Sequence, residues 1–142
     1  MGTPSAPQPP AEELDWHDVL SWLPLLADDD FDPGPGPHVV EDDGGVRSIR
    51  SGTTESVGAL VRALYRAGVV GGFDWPTWIR NDGRRFSQDP SVLASASLED
   101  CRRLLAAHVR ADRFTEGHLV EALRSGQVLA ILRRIDELVV DT

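Results

Sequence analysis

Apolar residues recur at three- and four-residue spacing in several separate stretches of the chain, and each stretch predicts a helix with one buried face. Trp16, Val19, Leu20, Leu23 and Leu26 form the first stripe, with Asp15 and Asp18 where a helix start favours negative charge and Pro24 expected to kink or end it. Val57, Leu60, Val61 and Leu64 form the second, opposite Glu55, Arg62 and Arg66, with Thr53 or Thr54 as its cap and Gly68 as its terminator. A short helix is expected around Trp75, Pro76, Thr77 and Trp78, capped by Asp74, and further turns at Asn81-Asp82-Gly83 and Asp89-Pro90. Ser97 and Asp100 resemble a capping pair ahead of a helix that buries Leu98, Cys101, Leu104 and Leu105, with His108 or Val109 behind them. Thr115 can cap the next helix, with a stripe of Leu119, Ala122 and Leu123 ended by Ser125 and Gly126. The last carries Val128, Ile131, Leu132, Ile135 and Leu138 on one face. The predicted fold class is all-α, a compact bundle of five to six helices.

Between these stripes the pattern lapses. Residues 1–13 are expected to be a disordered segment, Pro-rich over its first ten residues, and residues 14–140 a single helical domain. Within it, residues 27–52 read as a flexible, acidic, Gly/Pro-rich loop, with room for an extended piece at 38–40 or 46–49. The chain has 142 residues, 41% of them apolar, which suits one modest core. No apolar run approaches the ~20 residues of a membrane helix, and the first ten residues lack the character of a signal peptide, so a cytoplasmic protein is expected. Cys101 is the only cysteine, which excludes an internal disulfide and any CxxC site.

Charge divides the chain more sharply than the net value of −9 suggests. Residues 1–43 hold eleven acids and no Arg or Lys, whereas residues 44–134 hold all 14 arginines against nine acids. Such opposite halves attract over a Debye length of ~8–10 Å, so the acidic entry segment is expected either to solubilise the chain or to mask the arginines.

Phe73-Asp74-Trp75, then the stretch from His108 through Arg110, Asp112, Arg113, Phe114, Glu116, Gly117 and His118 to Leu119, and Ser125-Gly126 ahead of Ile131-Leu132-Arg133-Arg134, resemble a family of small bacterial proteins of unknown function. The resemblance spans residues 55–138 and implies a bacterial, mostly helical domain. It brings with it no activity, cofactor or partner.

The densest polar cluster is His108, Arg110, Asp112, Arg113, Glu116 and His118, where one helix end is followed closely by the next helix start. Arg and Trp are enriched at binding hot spots, so the expected function is a non-enzymatic helical adaptor or regulator that binds another protein. Its candidate binding residues are Asp74, Trp75, Trp78, Arg110, Asp112, Arg113, Glu116 and His118. No catalytic residue, metal or cofactor is assigned, since neither a nucleophile motif nor a phosphate loop is present. Two alternatives remain. One is nucleic-acid binding, through a helix-turn-helix outline over residues 115–137 or through Arg80, Arg84, Arg85 and Phe86 among the tryptophans. The other is a small enzyme or a Zn or Fe site built from His108, Asp112, Glu116 and His118.

Overall fold

A computed structural model describes residues 11–34, 38–41, 43–45, 47–50, 55–71, 74–112 and 117–140. Among them lie eight α-helical segments: α1 (Trp16–Leu20), α2 (Leu23–Ala27), α3 (Glu55–Arg66), α4 (Trp75–Arg80), α5 (Arg84–Gln88), α6 (Leu98–Ala111), α7 (His118–Arg124) and α8 (Gln127–Val140). Two 3-10 turns, Ala11–Glu13 and Pro90–Ser95, complete the helical part. The predicted bundle is present, in more pieces than five or six because its first stretch breaks into α1 and α2 and a further short helix, α5, follows the turn after α4.

The first break is at Ser21 and Trp22. Pro24 sits in the opening turn of α2, where its missing N–H costs nothing, so it begins a second helix rather than ending the first. A 3-10 turn at Ala11–Glu13 lies ahead of residue 14. Ala11 is buried, and its carbonyl accepts the Trp16 indole N–H at 2.6 Å, which ties the 3-10 turn onto the start of α1.

Within the acidic loop, β1 (His38–Glu41) and β2 (Arg47–Arg50) form an antiparallel hairpin, with Val39 opposite Ile49. The β-branched residues there favour extended backbone, and Gly45 turns the chain with φ +78°. The sequence offers 38–40 or 46–49 as alternative sites for one extended piece; residues 38–41 and 47–50 are both extended and pair with each other, with Val46 outside the described residues.

The core is built around α6 and α8. Leu105, Leu132, Ile135, Val19, Val57, Val69 and Val120 are all fully buried, each contributing roughly 1.5–3 kcal/mol by leaving water. Helix α8 packs against α1, α2, α6, α7 and the second 3-10 turn. At the start of α6, the Ser97 hydroxyl accepts the Asp100 N–H while the Asp100 carboxylate accepts the Ser97 N–H, a complete capping box. Helix α3 ends as expected at Gly68, with φ +82° and the Val69 N–H returning to the Leu64 carbonyl. Thr53, Thr54 and Thr115, expected as helix caps, lie outside the described residues.

Arginine side chains fasten loops to this core. Arg102, only 3% exposed, donates to the carbonyl of Gly68 at 3.2 Å and pairs with Glu99 at 3.6 Å. Arg134 donates to the Ala96 carbonyl at 3.0 Å, and Arg124 to the carbonyl of Gly34. The described residues of the acidic entry segment pack onto the rest: Trp16, Val19 and Leu26 belong to the core, and Asp18 pairs with Arg66 at 3.6 Å on the surface.

Candidate functional site

Several of the sequence-predicted residues converge on the corner between α6 and α7. Asp112, just past the end of α6, accepts the Leu119 N–H at 3.0 Å and so satisfies a donor in the first turn of α7. Gly117, with φ +85°, turns the chain into α7. Arg110 reaches the Gly71 carbonyl at 3.3 Å, and its buried Nε has no hydrogen-bond partner among the described residues. His118, the first residue of α7, meets His108 of α6. Arg113 and Glu116 lie outside the described residues.

The remaining predicted residues belong to α4. Asp74 caps it, accepting the Thr77 N–H at 3.2 Å and the Thr77 hydroxyl at 2.8 Å. Those hydrogen bonds, the hydroxyl first, hold the Asp74 carboxyl below its usual range. Trp75 is half-buried. Trp78 is buried and stacks on Phe86 of α5, ring centroids 6.5 Å apart. Through Gly71 and Arg110, the chain entering α4 is tied to the α6 corner.

The two histidines make the most specific polar contact of that corner. Nδ1 of His108 and Nε2 of His118 are 3.0 Å apart, with the rings stacked at 5.2 Å. One nitrogen donates and the other accepts, and which does so depends on the tautomer of each ring. Burial pushes His108 down to about 4, and charge on His118 opposes its protonation further. His108 is therefore uncharged at neutral pH.

His108 also lines a half-open cavity of about 390 Å³ between α4, α5, α6, the second 3-10 turn and the first turn of α8. Its apolar wall is Ile79, Phe86, Leu93, Leu104 and Ile131. Ser125, Gly126, Gln127 and Ala130 complete it. The Ser125 hydroxyl donates to the Ala122 carbonyl at 3.2 Å. Arg85 lies over the outer side of the assembly, its guanidinium 4.7 Å from the Phe86 centroid and 3.4 Å from Asp100.

Sequence reasoning marked His108 within its polar cluster but missed the cavity. Its apolar residues come from separate elements and look like ordinary core positions. The one trace is on α8, where Gln127 and Ala130 interrupt an otherwise apolar face.

Among the described residues, no three or more His, Cys, Asp and Glu side chains are grouped to hold a metal ion, and Asp112 is engaged by α7. The helix-turn-helix outline is present as α7 and α8, joined by Ser125 and Gly126, but α8 is packed among four other helices rather than presented outward. No helix among the described residues is long and apolar enough to cross a membrane.

Fold and site together define a small helical bundle with a neutral histidine at the wall of a half-open apolar cavity. The chain belongs to a family of unknown function, DUF6508, which matches residues 11–141. No curated protein and no solved structure matches it.

Proposed function

We propose that this protein is a non-enzymatic regulatory domain that acts by binding, an adaptor whose recognition site is the cavity bordered by α4, α5, α6 and α8. The observation that carries this reading is the cavity's construction. A concave site of about 390 Å³, walled mainly by apolar side chains with a few polar groups, His108, Ser125 and Gln127, has the size and make-up of a ligand pocket. The polar groups present favour binding over catalysis. The Ser125 hydroxyl is spent on the Ala122 carbonyl, and the two histidines bond to each other. The partner protein is expected at the adjoining α6–α7 corner, where Arg110, Asp112 and His118 adjoin the chain that leads into Asp74 and Trp75. Binding in the cavity would bear on that corner through the His108–His118 contact.

The test is a fluorescence titration with Nile red, a neutral apolar dye, on the full chain and on Ala130→Trp. Ala130 is exposed at the cavity wall, so an indole there blocks the cavity without entering the core. Saturable one-to-one binding that Ala130→Trp abolishes, with the helical circular dichroism unchanged, is the expected result. Absence of saturable binding to the natural sequence, or equal binding by the variant, overturns the reading.

A further inference from the structure

Among the described residues the cavity wall carries no Asp, Glu, Lys or Arg side chain, in a chain where charged residues make up 26%. An ionised group seated against it would give up its hydration with no opposite charge to replace it, which is among the costlier events in binding. His108 does not supply that charge at neutral pH, since its ring is uncharged there. What it does supply is one hydrogen-bonding atom. Its Nδ1 is committed to His118 at 3.0 Å, and its Nε2 has no hydrogen-bond partner among the described residues.

From the uncharged side chains described in the wall and the uncommitted His108 ring nitrogen we infer that the cavity takes a neutral, mainly apolar small molecule bearing a hydroxyl or N–H, with that group hydrogen-bonded to His108 Nε2. The inference deepens the binding reading above and rests on it. Ile79, Phe86, Leu93, Leu104 and Ile131 hold the body of the ligand, with room for one or two rings in about 390 Å³.

The histidine pair then reads the ligand's chemistry. A hydroxyl that donates to His108 Nε2 requires that nitrogen to be bare, which places the ring proton on Nδ1 and makes Nδ1–H the donor to His118 Nε2. A ligand that only accepts reverses both bonds. Occupancy is in this way passed from the cavity to the first residue of α7 by a change of tautomer, with no movement of the backbone required.

The experiment uses three probes that share a methylbenzene body: toluene, p-cresol and p-toluate. Each is titrated at pH 7.5 into the full chain carrying 15N-labelled histidine, followed by NMR. The expected order is p-cresol about three- to tenfold tighter than toluene, the worth of one added hydrogen bond, and p-toluate at least tenfold weaker than p-cresol. Saturation with p-cresol should move His108 Nε2 to the chemical shift of an unprotonated nitrogen. In His108→Phe the advantage of p-cresol should vanish while toluene still binds, which shows that the variant is folded. Parity of p-toluate with p-cresol, parity of p-cresol with toluene, or a His108 Nε2 that is still protonated at p-cresol saturation overturns the inference. If none of the three binds, the inference falls, and the Nile red titration decides separately whether the cavity is a binding site.

Discussion

His108 and His118 stand ten residues apart in sequence, yet their rings stack at 5.2 Å and share a 3.0 Å hydrogen bond between Nδ1 and Nε2. The contact closes the corner between α6 and α7, and it places the imidazole that lines the cavity under the control of a second ring at a helix start. Its consequences extend to stability.

His108 makes the fold sensitive to acid. The unfolded chain takes up a proton on this ring near its ordinary value of 6.5, whereas the folded chain refuses it until about 4. The stability this provides is complete above about pH 6.5 and is lost as pH falls toward 4, amounting to at most about 3 kcal/mol. Denaturant unfolding measured across that range should show the decline, and His108→Phe should flatten it. Asp74 and Asp89, both held below the usual carboxyl range by hydrogen bonds, lose their own contributions as they protonate at lower pH.

Cys101 should be chemically silent in the folded protein. It is fully buried in α6, and burial pushes its thiol up to about 12. The thiolate that reacts is thus scarce and out of reach. Labelling with a thiol-reactive chromogen should proceed at the rate of unfolding, and fast, complete labelling under native conditions would contradict the packing described.

Gly83→Ala should destabilise the protein by about 1–3 kcal/mol. A Cβ there would lie 2.7 and 2.9 Å from atoms of the Trp78 ring and 3.0 Å from the Ile79 Cα. The Trp78 ring must shift, and with it the Phe86 stack that forms one wall of the cavity, so Nile red affinity should fall as well. Gly126→Ala is a useful contrast, because nothing lies within 4 Å of its added Cβ. Its cost, about 1–2 kcal/mol, comes from φ +85° alone. Thermal melts of both variants separate the two causes.

Ser97→Ala should cost about 1 kcal/mol by removing half of the capping box that starts α6. Asp100, freed from its reciprocal bond, still has Arg85 at 3.4 Å, so the loss should be confined to helix stability and leave the cavity's dye affinity unchanged. Urea titration and Nile red binding on the same sample check both parts.

Much of the helical layout was legible because it depends on local chemistry. The start of α6 follows from Ser97 and Asp100 three residues apart, and the end of α3 from Gly68, whose lack of a Cβ allows φ +82°. The corner residues Arg110, Asp112 and His118 were legible as a cluster because one helix ends and the next begins within a few positions. Trp75 and Trp78 illustrate the boundary. Their shared proximity in sequence is plain, but whether an indole is buried depends on what packs over it, and Phe86 covers only one of the two by stacking. Pro24 was legible as a break, but not its place in the opening turn of a second helix whose Leu26 packs into the core.

Periodicity, caps and glycines by themselves determined that this chain forms a helical bundle, where its longer helices begin and end, and that its charges segregate along its length. These depend on interactions within a few residues of one another, which the order of side chains specifies directly. The cavity, the gathering of uncharged side chains in its described wall and the meeting of His108 with His118 were decided only by tertiary structure. They arise where Ile79, Phe86, Leu93, Leu104 and Ile131 are brought face to face from separate elements, and a void is set by how those faces fail to fill the space between them, which no single stretch of sequence encodes.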